Sequence, residues 1–428
     1  MAEGVLGIGL LIFLAHFFTA LFQRTHIPDV LLLTLLGITL GPLTHIIKPE
    51  DLGRVGGVMS TMALVIILFE SGISLKPVVF MKALRPTVKL TLSTFFVTAA
   101  AGYIVARYVL GTSSMVGLMT GCILAGTSAA VVIALVKSLK IVEPISTVLV
   151  MESALGDVLM IVLLIGLIQG AVSGEVHAGR IVGSVFASLL SAGLIGVLGG
   201  LAWLLVLNEV RQFPNTAFTT LAYVMILYGI SDVLGFSGGI SALAFGATLI
   251  NYDLLPLTRF EIFQQRKLGR IDQTDVSFFN EILFLLKTFF FVYLGVSIRF
   301  EDWQLALYAL AFTLSIYLAR LLLVRFTIYQ ENASWLDLSM TTVMVPKGLV
   351  SAVLASMPVE QNLPGATLVR EFTYMVVFIS ILLTAVLLPL MQRSPVRNFY
   401  YWFFEGRERV EPPAGEPQPE ASGFSTPH

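Results

Sequence analysis

Residues 144–170 read PISTVLVMESALGDVLMIVLLIGLIQG, a stretch long enough to cross a bilayer that carries two acids in its first half. About 20 apolar residues suffice for a helix to span the hydrocarbon core. A charged side chain near the centre costs at least about 2.5–3.5 kcal/mol on insertion scales, so an intramembrane acid marks a functional site by default. On a helix, Ser153 and Asp157 lie four apart and share a face. Glu152 and Asp157, five apart, diverge by about 140° at roughly 100° per residue. The two acids are therefore predicted to meet different neighbours. Gly156, beside Asp157, has no side chain and lets another backbone approach.

Around this stretch, 56% of the 428 residues are hydrophobic and 12% are charged, with a mean hydropathy of +0.88. A soluble domain carries about 25% charged residues. The composition is that of an all-α polytopic membrane protein. The formal net charge of −1 gives no field that would draw nucleic acid. Cys122 stands alone, so no disulfide framework is possible, and the five histidines show no ligand spacing. The first segment, MAEGVLGIGLLIFLAHFFTALF, lacks a basic start and a small-residue cleavage site, and is read as a retained spanning helix.

Apolar runs of spanning length predict about thirteen transmembrane helices, near 4–22, 28–47, 56–74, 87–109, 114–136, 144–170, 180–206, 215–232, 237–251, 279–298, 303–328, 335–357 and 367–391. An odd number puts the termini on opposite sides. With the N-terminus outside and the C-terminus cytoplasmic, the basic clusters Lys76, Lys82, Arg85, Lys89 and Arg259, Arg266, Lys267, Arg270 face the cytoplasm, as the positive-inside rule requires. Beyond about residue 405 the chain turns polar and rich in Pro and Gly (EPPAGEPQPEASGFSTPH), and is expected to be disordered.

The two halves echo each other. PDVLLLTLLGITLG (28–41) resembles SGGISALAFGATLI (237–250), both being Gly-punctuated apolar helices, and FESGISL (69–75) takes the place that VYLGVSI (292–298) has later. The fifth span is interrupted at AGTSAA (125–130) and the twelfth at VPKGLVSA (345–352). This predicts two inverted six-helix repeats, 1–170 and 215–395, joined by a linker helix in 171–214, with a short cytoplasmic tail over 396–428. Paired interrupted helices in inverted repeats point to a secondary transporter with its site near the midplane.

Six ionisable residues stand out inside the spans: Glu70, Glu152, Asp157, Lys287, Arg320 and Lys347. Three acids against three bases suggest mutual compensation. Lys287 lies near Glu281 in its own span and reads as a structural partner as readily as a functional group. Arg320 suits a structural pair, because a guanidinium stays charged and grips a carboxylate with two bonds. At the first interruption Thr127 and Ser128 add hydroxyls to the freed backbone carbonyls. Carboxylate, hydroxyl and carbonyl oxygens together suit a hard alkali cation. At the second, Pro346 removes a backbone donor, and Lys347 could neutralise half-helix carbonyl ends or a nearby acid.

Enzyme chemistry is not expected. An intramembrane aspartyl protease needs a YD before a GxGD, whereas Tyr252-Asp253 follows ALGD (154–157) and position 154 is Ala. A cation channel could use the same oxygens, but paired interrupted helices favour alternating access.

In this order, IPDVLLLTLLGITLGP (27–42), LFESGISL (68–75), GTSAA (126–130), ESALGD (152–157), FSGGISALAFGATLIN (236–251), FFFVYLGVSI (289–298), ARLLLV (319–324) and VPKGLVSAVLA (345–355) resemble the monovalent cation–proton antiporter superfamily, the sodium/proton exchangers, and within it the NhaP-like branch. The resemblance covers about residues 5–395. It implies thirteen helices in a core domain, crossed by two broken helices, and a dimerisation domain. It implies that Asp157 binds Na+ or H+, assisted by Ser153, Glu70, Thr127 and Ser128, while Glu152 pairs with Arg320. It further implies an inner (plasma) membrane homodimer that serves pH homeostasis and needs no cofactor. Three departures bear on selectivity and stoichiometry. Gly156 stands where the family has Asn or Asp, Ser128 where an acid commonly follows the threonine, and Lys347 where Arg is frequent. The expected activity is exchange of Na+, or Li+, for H+ by competition for Asp157, electroneutral and 1:1. K+/H+ exchange is the alternative.

Overall fold

The computed structural model describes residues 2–25, 27–74, 77–139, 141–173, 178–212, 216–254, 269–300, 302–328, 333–391 and 394–404. Their regular structure is helical, with no strand among the described residues. In chain order the helices are α1 (Ala2–Thr25), α2 (Asp29–Ile38), α3 (Pro49–Ser74), α4 (Pro77–Ile104), α5 (Ser114–Ala125), α6 (Ala129–Leu139), α7 (Glu143–Ser173), α8 (Ala178–Val210) and α9 (Thr216–Val233). They continue as α10 (Gly238–Asn251), α11 (Gln273–Ser297), α12 (Trp303–Thr327), α13 (Trp335–Val343), α14 (Leu349–Leu354), α15 (Met357–Glu360), α16 (Ala366–Leu390) and α17 (Ser394–Phe403). Among the described residues, six helices are long and apolar enough to cross a membrane, and shorter apolar helices occupy the other expected spans.

Helix starts follow local chemistry. Ser113 caps α5 by accepting the Val116 amide, and capping boxes open α11 (Asp272 with Asp275) and α13 (Ser334 with Asp337). Arg211 at the end of α8 reaches Asp275 at 2.5 Å, tying α8 to the first turn of α11.

The helices pack as two bodies. In one, α10 lies against α3, α8 and α9, and α11 lies against α2 and α3. In the other, α4, α5, α7, α12, α13 and α16 pack on one another. Helices α7 and α8 touch where the chain passes between them, and α14 reaches across to α3 and α11.

Glycines set two of the closest helix contacts. A Cβ on Gly295 of α11 would meet Gly37 Cα at 2.9 Å, besides overlapping the Thr34 carbonyl of α2. A Cβ on Gly246 of α10 would come within 3.1 Å of the Ile73 amide of α3, besides overlapping the Phe69 carbonyl, and Gly72 meets α10 in the same way. Small residues of this kind let backbones meet where no hydrophobic force drives helices together.

One expectation changes. Lys287 does not pair with Glu281: its ammonium lies 2.7 Å from Asp29, at the start of α2, and joins α11 to α2. After the last span Ser394–Phe403 forms α17, with Phe404 fully buried against the bundle. The Pro/Gly-rich stretch 405–428 lies outside the described residues.

Gly295→Ala or Gly246→Ala should lower the unfolding temperature of the detergent-solubilised protein, because a methyl has only backbone to push against. Overpacking of this kind costs typically about 1–3 kcal/mol. Gly9, which has open space around it, is the matched control and should tolerate Ala.

Candidate functional site

Both interruptions foreseen in the sequence are present. Helix α5 stops at Ala125, Gly126 is extended (φ −78°, ψ 166°), and α6 begins at Ala129. Helix α13 stops at Val343, and α14 begins after Gly348. The two breaks lie directly against each other. The Ser128 amide donates to the Pro346 carbonyl at 2.7 Å, and the Lys347 ammonium donates to the Gly126 carbonyl at 2.9 Å. A Cβ on Gly348 would overlap the Ser128 side chain, so glycine permits this crossing.

The remaining freed groups are also met. The Lys347 amide donates to Ser380 Oγ of α16 at 2.9 Å. Thr384, one turn further along α16, donates to the Val343 carbonyl at 3.3 Å and lies 2.6 Å from the Tyr317 hydroxyl of α12. The Gly126 amide donates to the thioether of Met160 on α7 at 3.1 Å. Backbone polar groups left bare at this depth would cost several kcal/mol each, so these side chains are structural necessities of the breaks.

Beside the crossing is a small hollow with room for about one water-sized particle. Thr127, Ser128 and Ala129 border it from the first break and Gly348, Leu349, Val350 and Ser351 from the second, with Asp157 from α7 and Ile67 from α3. Ile67 belongs to the opposite body, so the hollow lies at the seam between the two. Asp157 is 2% exposed, and neither of its carboxylate oxygens has a hydrogen-bond partner among the described residues. Gly156 faces the Gly126 backbone, and a Cβ added to it would fall 3.4 Å from Gly126 Cα, an ordinary contact distance.

Glu152 diverges from Asp157 as the helical wheel requires. It receives both terminal nitrogens of Arg320, one of them at 2.6 Å. Arg320 is fully buried. It also donates to Thr94 Oγ1 at 2.7 Å and to the Thr341 carbonyl at 3.3 Å. Four elements, α4, α7, α12 and α13, thus meet at one guanidinium.

Not every predicted residue lines the hollow. Ser153 is buried, but its hydroxyl donates to the Val150 carbonyl of its own helix at 2.8 Å. Glu70 is half-buried on α3, one turn beyond Ile67, and does not border the hollow. Conversely, Met160, Tyr317, Ser380, Thr384 and Asp29 have structural parts at the breaks or between helices that the sequence pattern did not single out. Ser380 and Thr384, spaced i, i+4 in an apolar span, carried a readable signal of one polar face. Met160 carried none.

Two interrupted helices crossing beside a buried acid are the architecture of an ion-coupled secondary transporter. A family model described as the transmembrane sodium/hydrogen exchanger matches residues 10–392, and the chain belongs to that family of integral membrane cation–proton antiporters. It is similar to Na(+)/H(+) antiporter 1 of Methanocaldococcus jannaschii, 25% identical over 371 residues, covering 83% of this chain and 82% of that protein. It is also similar to a K(+)/H(+) antiporter of a Shewanella species, 24% identical over 352 residues, but the chain spans only 55% of that relative's length. The solved structure of the sodium proton antiporter from M. jannaschii at pH 8 shares the fold, with a TM-score of 0.72 and 21% identity, covering 90% of this chain and 98% of that one.

Arg320→Met or Glu152→Met should each lower the yield and unfolding temperature of the purified protein, since leaving either charge buried without its partner typically costs about 3–5 kcal/mol. The double variant Arg320→Met/Glu152→Met should recover part of that loss, as a double-mutant thermal-stability cycle would measure.

Proposed function

We propose that the chain exchanges a monovalent cation, Na+ with Li+ also accepted, for H+ by alternating access, one for one and electroneutrally, with the two ions competing for Asp157. The observation that carries this reading is the Asp157 carboxylate. It is buried, has no hydrogen-bond partner among the described residues, and faces a hollow at the seam of two bodies. A bare carboxylate in such surroundings is disfavoured. It is relieved either by a proton or by a small cation, and one occupant excludes the other. That exclusion alone yields antiport.

The cation would be held by Asp157 with oxygens of Thr127 and Ser128, which border the same hollow. Hard oxygen donors of this kind suit an alkali ion. Ser153 and Glu70 are assigned supporting parts, one behind Asp157 on α7 and one on the facing helix α3. Lys347 compensates charge at the breaks through the Gly126 carbonyl, and the Glu152–Arg320 pair keeps α7 in register with α4, α12 and α13. Gly156 supplies no second titrating group beside Asp157, which supports a single charge per cycle.

The body built from α4–α7, α12–α14 and α16 is assigned as the moving core, and the body of α2, α3 and α8–α11 as the fixed, dimer-forming scaffold. Matched glycine contacts support an inverted repeat. Gly37 of α2 meets Gly295 of α11, and Gly246 of α10 meets the α3 backbone beside Gly72. Gly37 and Gly246 occupy equivalent places in the two half-sequences, as do Gly72 and Gly295. Thirteen spans, an outside N-terminus and an inner-membrane homodimer complete the reading. K+/H+ exchange is the second reading, favoured by relatives named as K(+)/H(+) antiporters.

Asp157→Asn should abolish cation-dependent proton movement in proteoliposomes without lowering the unfolding temperature; wild-type exchange in that variant would refute the assigned role. In the wild type, titration of Na+, Li+ and K+ across pH 6–9 should show apparent cation affinity weakening as pH falls while the maximal rate holds. An imposed voltage should leave the flux unchanged, and a voltage-driven flux would overturn the one-for-one stoichiometry.

A further inference from the structure

We propose that Met160 is a positioning residue for exchange: its thioether accepts the Gly126 amide, fixes the first break against the acid-bearing helix, and thereby sets the cation affinity of the site. The inference rests on the assignment of Asp157 as the ion-binding carboxylate.

Gly126 is the residue at which α5 ends. In a continuous helix its amide would donate to the carbonyl four residues earlier. Here it turns away and donates to Met160 Sδ at 3.1 Å. Its carbonyl accepts Lys347 Nζ at 2.9 Å. Both polar groups of one glycine are therefore held by side chains from two other elements, α7 and the second break. The next residue, Thr127, borders the hollow.

Met160 lies three residues after Asp157 on α7, so one helix presents both the acid and the group that fastens the break beside it. The Met160 residue is 1% exposed. Its sulfur also lies 3.8 Å from the hydroxyl of Ser351, which borders the hollow from α14. The fit is close, since a Cβ on Gly126 would approach the Met160 sulfur to 2.6 Å. The backbone carbonyl of Met160 is itself engaged, accepting the Cys122 thiol of α5 at 3.3 Å. One residue thus fastens α5, the first break and the start of α14 to the helix that carries Asp157.

A thioether is a weak acceptor, and packing alone could justify an apolar side chain of this length. The two roles predict opposite orders of damage. Leucine keeps most of the volume but strands the Gly126 amide with nothing to accept it. Glutamine has similar length and presents an amide oxygen. If Met160 acts as an acceptor, Met160→Leu raises the apparent KM for the cation and Met160→Gln does not. If it only fills space, Leu is benign and Gln is damaging.

The test measures cation-dependent proton flux in proteoliposomes for wild type, Met160→Leu, Met160→Gln and Asp157→Asn, using whichever of Na+, Li+ or K+ the wild type exchanges. We expect Met160→Leu to raise KM about three- to tenfold, the range for one lost hydrogen bond, with its pH profile displaced accordingly. Met160→Gln should stay within about twofold of wild type on the same scale. A leucine variant with wild-type KM and pH profile, or a glutamine variant more impaired than leucine, overturns the proposal. Should the leucine variant fail to accumulate, glutamine decides alone: wild-type KM supports the role, and a raised KM in folded protein overturns it. Residual exchange by Asp157→Asn would instead overturn the parent assignment, so the two failures are distinguishable.

Discussion

Water is absent from the interior of a bilayer, and every backbone group released by an interrupted helix must be met by protein. That constraint organises this molecule. The two interruptions meet it largely with each other: the Ser128 amide uses the Pro346 carbonyl, and the Lys347 ammonium uses the Gly126 carbonyl. What the breaks cannot supply comes from Ser380 and Thr384 on α16 and from Met160 on α7. The breaks therefore behave as one unit, tied to the acid helix on one side and to α12 and α16 on the other. The hollow beside them is the space that such a crossing leaves.

Charge is distributed to match. Glu152 and Arg320 neutralise each other inside one body, and Asp29 and Lys287 do so inside the other. Each pair satisfies a buried charge with a fixed opposite charge, which holds helices together but leaves nothing for a mobile ion. Asp157 differs because its carboxylate oxygens are bare and lie where the bodies meet. Paired charges hold helices together within each body; in the exchange proposed above, the bare one is the group that a transported ion would neutralise.

Much of this was legible in the residues. Apolar runs of spanning length marked the helices, because hydrocarbon imposes one length and one polarity on whatever crosses it. The interruptions were legible because Gly-Thr-Ser and Pro-Lys-Gly do not belong in a continuous apolar helix. The separation of Glu152 from Asp157 was legible because helical geometry turns residues five apart to different faces. Other features were hidden. Asp29, directly after Pro28, looked like an ordinary helix start, and only the packing of α2 on α11 brings it to Lys287. Met160 is one of 14 methionines in an apolar chain, and nothing in its neighbours along the chain distinguishes it. Ser153 shared a face with Asp157, yet its hydroxyl turned back to its own helix.

By itself, the sequence determined that this chain lives in a membrane, where its helices run, where two of them are interrupted, and that Glu152 and Asp157 lie within a span. These follow from local rules: hydrophobic length, helical periodicity and backbone chemistry act within a few turns of one helix. Tertiary structure alone decided which partner each buried group receives. Residues hundreds of positions apart, such as Gly126 with Lys347 or Arg320 with Glu152, meet through packing that no single helix encodes. The same packing left Asp157 without a hydrogen-bond partner among the described residues, a property of what surrounds the residue and of nothing in its own stretch of chain.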